Sequence, residues 1–87
     1  MYLHLGQNTV IRTDNIIGIF DIDNCTVGKS ARKWLEEKER MKKVIYVSYE
    51  LPKSFIVYRD RTDEYVYICQ LSASTLIKRI ENGGISI

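Results

Sequence analysis

The sequence predicts a small α+β domain, a largely antiparallel sheet with two helices in the order β-β-β-α-β-β-β-α. Three observations lead to this. The uncharged run Ile16-Ile-Gly-Ile-Phe20 is β-branched and too short for a helix. One amphipathic stretch, centred on Trp34, follows it. From Val44 to Leu71 the chain then reads as short alternating segments broken by turns. Strands that cluster in this way, instead of alternating with helices, indicate an α+β domain with a mainly antiparallel sheet.

The stretch Asn15–Asp23 is read as the organising strand, covered on both faces because its apolar run does not alternate. Gly18 within it marks a bulge or a close backbone approach. Asp21, Asp23 and Asn24 end it, because their side chains compete for local backbone hydrogen bonds. Ahead of it, residues 2–5 form a strand with Leu3 and Leu5 on one face and Tyr2 and His4 on the other. Gly6-Gln7-Asn8 turns the chain into a second strand, Thr9–Arg12, and Thr13-Asp14-Asn15 turns it into the third.

Thr26 is the expected N-cap of the main helix. Val27, Ala31, Trp34, Leu35 and Met41 share its apolar face, and Glu36/Arg40 and Glu39/Lys43 stand four apart on its solvated side. Val44–Tyr49 is the next strand. Leu51-Pro52-Lys53 interrupts the pattern, and Pro52, which has no N–H, marks a sheet edge or a turn. Ser54–Tyr58 is a strand and Arg59–Asp63 a charged turn. Glu64–Leu71 alternates, with Tyr65, Tyr67, Cys69 and Leu71 on one side and Val66 and Ile68 on the other. Ser72 or Ser74 caps a short helix that carries Leu76, Ile77 and Ile80 inward, and Gly83-Gly84 stops it.

With 87 residues, one domain over 1–87 is expected. A chain of this size hides only about 60–65% of the surface its unfolded form exposes, so its core is modest. The small core, the edge at Pro52 and a set of exposed tyrosines point to a homo-oligomer. The balance of 13 basic and 11 acidic side chains, net +2, is too even to indicate nucleic acid on its own. Cys25 and Cys69 have no motif spacing, and Met1-Tyr-Leu-His-Leu5 lacks a basic region. Reduced thiols, a cytoplasmic setting and no targeting segment are therefore expected. No apolar run approaches the roughly 20 residues of a membrane span.

The candidate chemistry is sparse. Phe20-Asp21-Ile22-Asp23 with Thr26 downstream resembles the nucleophile motif of the haloacid dehalogenase phosphatases. That chemistry needs a doubly wound sheet, a further lysine and a second acidic pair, which this short chain with clustered strands does not offer. A strand-ending acidic turn is the expected role of Asp21 and Asp23. His4 stands without a second histidine or a paired cysteine, so it reads as a strand residue. No enzyme, no cofactor and no metal are expected.

The basic residues fall in three groups: Arg32, Lys33, Lys38, Arg40, Lys42 and Lys43 along the main helix and its end, Lys53, Arg59 and Arg61 at turns, and Lys78 and Arg79 on the last helix. Turns that present lysine and arginine together grip phosphates without reading bases. The main helix ranks second, because Glu36, Glu37 and Glu39 lie between its bases.

Four ordered pieces carry a family likeness: Met1-Tyr-Leu-His-Leu-Gly6, Ile16-Ile-Gly-Ile-Phe-Asp21, Pro52-Lys-Ser-Phe-Ile-Val57 and Leu71-Ser-Ala-Ser-Thr-Leu-Ile-Lys-Arg79. Together they resemble the RemA/RemB family of bacterial extracellular matrix regulators, and the RemB branch more closely. The resemblance covers residues 1–80 and implies a small cytoplasmic regulator of matrix and biofilm genes. In the RemA branch it implies a ring with DNA wrapped around it through arginines. Where that branch has an arginine before the central strand, this chain has Asn15, and in place of an arginine pair it has Leu51-Pro52 followed by Lys53. Contact with DNA is accordingly expected at Lys53, Arg59, Arg61 and Arg12. Two partner readings follow. One is a homo-oligomer that contacts DNA phosphates; the other is an oligomerising interaction module that acts on a sibling regulator without touching DNA.

Overall fold

The computed structural model describes residues 1–6, 8–22, 29–48 and 50–83, with 29–32 described by backbone alone. The elements are β1 (Tyr2–Gly6), β2 (Thr9–Arg12), β3 (Ile16–Asp21), α1 (Lys29–Arg40), β4 (Val44–Tyr46), β5 (Ser54–Asp60), β6 (Asp63–Cys69) and α2 (Ala73–Glu81). Their order is the one expected from the sequence, with a 3-10 turn at Thr13–Asn15 between β2 and β3.

β1 and β2 form an antiparallel hairpin, and the other strands make a four-stranded sheet in the order β3-β5-β6-β4. β5 is antiparallel to both of its neighbours, whereas β4 lies parallel to β6. The parallel pair follows from α1, because a chain that leaves a sheet through a helix can re-enter it in the same direction. β3 and β4 therefore run the same way, and the C-terminus of α1 returns to the end of the sheet at which both strands begin.

The side-chain alternation divides the core in two. Leu3, Leu5 and Ile11 of the hairpin meet Ile56, Cys69 and Leu76 on one face of the sheet, with Tyr58, Tyr67, Leu71 and Ile80 packed around them. Phe55, Val57 and Val66 face the other way, onto Trp34 and Leu35 of α1. Tyr67, Cys69 and Leu71 thus lie opposite Val66 and Ile68, as the alternation requires. The Cys69 thiol donates to the Leu5 carbonyl at 3.0 Å, and burial pushes its pKa up. It acts as a small apolar residue with a weak donor. Cys25 lies outside the described residues.

Several expectations are corrected. β3 is an edge strand and not a strand covered on both faces: Ile17 is 52% and Phe20 42% exposed. The interior position belongs to β5, whose Ser54, Phe55, Ile56 and Val57 are all buried. An apolar run states a demand for burial, not which surface meets it. Of the two readings of Pro52, edge or turn, the second holds: it sits in the loop that feeds β5, and the sheet edges are β3 and β4. β4 ends at Tyr46, although Val47 still donates to the Ile68 carbonyl at 2.9 Å. Met41 lies beyond α1 and is 60% exposed, and Ile77 is 43% exposed while Leu76 and Ile80 point inward. Tyr58, Tyr65 and Tyr67 are half-buried, which leaves Tyr46 as the exposed tyrosine among the described residues. Glu39 accepts a hydrogen bond from Tyr46, and Lys43 pairs with Asp63, so those two do not form the expected pair.

Gly18 serves both of its expected purposes. The register of β3 on β5 slips between Ile16 and Gly18, and the Phe20 ring lies over Gly18, where a Cβ would fall 2.6 Å from the ring. Ser72, not Ser74, caps α2 by accepting from the Thr75 N–H at 3.2 Å. Gly83, at φ 94°, ends that helix. The expected cap Thr26, with Asp23, Asn24, Val27, Tyr49 and Gly84, lies outside the described residues.

Candidate nucleic-acid interface

Because α1 runs against β3, one end of the sheet collects three connections: the β2–β3 turn, the β5–β6 turn and the α1–β4 turn. The first is placed by Ile16, which lies opposite Tyr58, and by Asn15, whose Nδ2 donates to the Tyr58 hydroxyl at 3.1 Å. Arg12 therefore stands at the Arg59 end of β5. The third is placed by Lys43, whose Nζ lies 3.1 Å from Asp63 Oδ1 and 4.7 Å from the centre of the Tyr65 ring. Arg12, Lys42, Arg59 and Arg61 all share this end, and all are exposed.

The end is not uniformly positive. Arg59 donates to Glu64 at 2.8 Å and Lys38 to the same carboxylate at 3.3 Å. These two hydrogen bonds, that of Arg59 first, hold the Glu64 carboxyl below its usual pKa. The hydrogen bond to Asp63 raises the pKa of Lys43. Arg12 faces Asp14 at 3.8 Å with both side chains largely in water. Among the described residues, no acid stands at ion-pair distance from Lys42 or Arg61.

Lys42 and Arg61 share a second property. Their φ angles are 59° and 60°, and they are the non-glycine residues with positive φ among those described. Lys42 occupies the left-handed position that closes α1. Its N–H donates to the Glu39 carbonyl at 3.0 Å and the Lys43 N–H to the Lys38 carbonyl at 2.8 Å, the bond pair of a Schellman motif. Arg61 opens the two-residue connection between the paired Asp60 and Asp63. Glycine holds such positions at less cost, and strained backbone is concentrated at functional sites.

Lys53 is not part of this group. It precedes β5, at the opposite end from Arg59, about 20 Å away at roughly 3.3 Å per residue. The four bases expected to act together thus divide into Arg12, Arg59 and Arg61 at one end and Lys53 at the other. At the Lys53 end Asp21 accepts the Ala73 N–H at 3.0 Å, so its carboxylate joins the end of β3 to the start of α2.

No protein-family model matches the chain. Extracellular matrix regulatory protein B of Bacillus subtilis (strain 168) is 36% identical to it over 81 residues, which are 93% of this chain and 91% of that protein. The chain belongs to the extracellular matrix regulatory protein B family. For this member of the extracellular matrix regulatory protein B family, the sheet end offers exposed cations on short, well-determined turns. Such groups can contact anionic oxygens as point charges or, for arginine, as a fork. Sequence reasoning ranks Lys42 low because it follows an acidic helix. What brings it to the Arg61 end of the sheet is the parallel return of β4, which no local pattern announces. Among the described residues, no helix is long and apolar enough to cross a membrane.

Proposed function

We propose that this chain is a non-enzymatic cytoplasmic regulator of extracellular matrix genes that works as a homo-oligomer and contacts DNA through its phosphates. The family relationship supports the regulatory role. The observation that favours phosphate contact is the gathering of Arg12, Lys42, Arg59 and Arg61 at one end of the sheet, with Lys42 and Arg61 in a backbone conformation that glycine would hold more easily. Each contact releases counterions, so affinity falls steeply with salt. A gel-shift titration at two salt concentrations tests this. Replacement of Lys42, Arg59 and Arg61 by alanine should weaken binding on every sequence and lower the salt slope by about one for each phosphate no longer neutralised. Lys33→Ala, in the middle of α1, should change little. The assignment fails if the turn variant binds as the parent does and Lys33→Ala does not.

The second reading, an interaction module acting on a sibling regulator, has its own observation. Leu51 is 83% exposed beside Pro52, between Glu50 and Lys53, in a loop at the end away from the basic turns. Absence of a gel shift by the parent even at low salt would favour this reading.

A further inference from the structure

We propose that Glu64 is a built-in competitor for Arg59: its carboxylate holds the guanidinium until a phosphate of a bound polyanion displaces it. The proposal rests on the phosphate contact of the proposed function and adds to it a brake on one of the contacting side chains. Strand alternation sets the pair in place. Arg59 of β5 lies directly opposite Glu64 of β6, in the register that also sets Val57 opposite Val66 and Phe55 opposite Ile68. Residues two apart on a strand share a face. Arg59 and Glu64 therefore continue the face that packs on α1, one step beyond its apolar residues, and form its polar rim at the basic end of the sheet.

At that rim one carboxylate serves two cations. Lys38 of α1 donates to Glu64 Oε1 at 3.3 Å, and Arg59 donates to Oε2 at 2.8 Å. The two cations are not equivalent. The Lys38 side chain is 13% exposed, and its Nζ lies 5.6 Å from the centre of the Trp34 ring. The Arg59 side chain is 56% exposed. Lys38 is thus the fixed half that keeps Glu64 in place, and Arg59 is the half that can leave. Departure of Arg59 strands no bare carboxylate, because Lys38 remains as its counter-charge.

A guanidinium meets a carboxylate and a phosphate with the same fork of N–H donors, so the two compete for the same atoms. The other ion pairs at this end are built differently. Arg12 and Asp14 stand 3.8 Å apart with both side chains largely in water, too loose to hold either back. Lys43 is tied both to Asp63 and over the Tyr65 ring, and it is not one of the exposed bases. Lys42 and Arg61 are exposed, and no acid among the described residues stands at ion-pair distance from them.

The order of engagement follows. Lys42 and Arg61 are ready to meet a phosphate at once, whereas Arg59 must first give up Glu64. A group held within the same molecule acts at an effective concentration on the order of millimolar. An isolated phosphate competes poorly against such a neighbour. A polyanion already held at Lys42 and Arg61 brings its next phosphate in at a similar effective concentration and competes well. Glu64 thereby lowers the affinity for DNA and makes the Arg59 contact depend on several phosphates arriving together.

The test is a double-mutant cycle of Glu64→Gln and Arg59→Ala, read as affinity for a labelled mixed-sequence DNA duplex by fluorescence anisotropy at low salt. Circular dichroism melts establish that all four proteins are folded at the assay temperature. Glu64→Gln keeps the side-chain shape and removes the charge. It should tighten binding about two- to five-fold, the range of a largely exposed ion pair, and that gain should vanish in the Arg59→Ala background. Asp63→Asn removes a charge at the same end from the acid that pairs with Lys43, and its effect should be the same with and without Arg59. A Glu64→Gln gain that persists in Arg59→Ala would overturn the proposal, since it would mark Glu64 as one more repelling charge. So would a Glu64→Gln variant that binds DNA no more tightly than the parent. In both of those cases the parent still binds DNA and the proposed function stands, whereas a parent that binds no DNA at low salt removes the function and the brake together.

Discussion

Lys42→Gly should make this protein more stable and, on the proposed function, weaken binding to DNA. Lys42 closes α1 at φ 59°, with the two Schellman hydrogen bonds at 3.0 and 2.8 Å already in place. The left-handed conformation costs an L-residue about 1–2 kcal/mol because Cβ crowds the following carbonyl. Glycine removes that crowding but brings about 0.5–1 kcal/mol of extra chain entropy in the unfolded state. The net gain is therefore about 0.5–1 kcal/mol, and for a domain of this size that raises Tm by roughly 3–6 °C. Thermal unfolding followed by circular dichroism at low micromolar concentration measures it. Lys42→Ala is the control: it removes the same charge but keeps a Cβ, so Tm should not rise, while DNA affinity should fall as much as in Lys42→Gly. If Lys42→Gly leaves Tm unchanged or lowers it, the reasoning from backbone strain is wrong. If both variants bind DNA as the parent does, Lys42 is no phosphate contact.

Arg61→Gly should show the same sign in the β5–β6 turn, with a Tm rise of a few degrees and a loss of salt-dependent binding. Trp34→Ala should destabilise by about 2–3 kcal/mol, below the roughly 3–5 of a fully buried aromatic, because Trp34 is half-buried against Phe55, Val57 and Val66; urea unfolding that shows no change would contradict the placement of α1. Asp21→Ala should cost about 1 kcal/mol by removing the carboxylate that receives the Ala73 N–H. Asp21→Asn should cost less, since its amide oxygen can still accept, and full stability of Asp21→Ala in a melt would refute the capping role. Glu64 has a depressed folded-state pKa, so its stabilisation is present above the ordinary carboxyl value of 4.5 and is lost as pH falls through the folded value. Acid titration should lower the Tm of the parent below about pH 4.5 more than that of Glu64→Gln; equal slopes for the two proteins would show that Arg59 and Lys38 do not hold that carboxylate.

The elements themselves were legible because each rests on local physics. Leu3 and Leu5 alternate with Tyr2 and His4, and the structure buries the leucines completely. The two sides of β6 were readable residue by residue for the same reason. The cap of α2 was readable as Ser72 or Ser74, and its stop as Gly83-Gly84, because capping depends on a few adjacent backbone groups. The bases of the candidate site were also visible as residues, though not as a site, since Lys53 and Arg59 are close in sequence and about 20 Å apart along a strand.

By itself, then, the sequence determined which segments are strands and helices, the buried faces of β1 and β6, and which family the chain resembles, since those follow from side-chain period and from matched residues. Only the tertiary structure decided the order of strands in the sheet. That order made β5 the interior strand and left the apolar run of β3 at an edge, because hydrophobicity is non-directional and an apolar segment specifies burial without specifying a neighbour. The same order sent β4 back parallel to β6 and brought the end of α1, with Lys42, to the end of the sheet that holds the β5–β6 turn. Those placements depend on contacts between residues far apart in the chain, and no local spacing contains them.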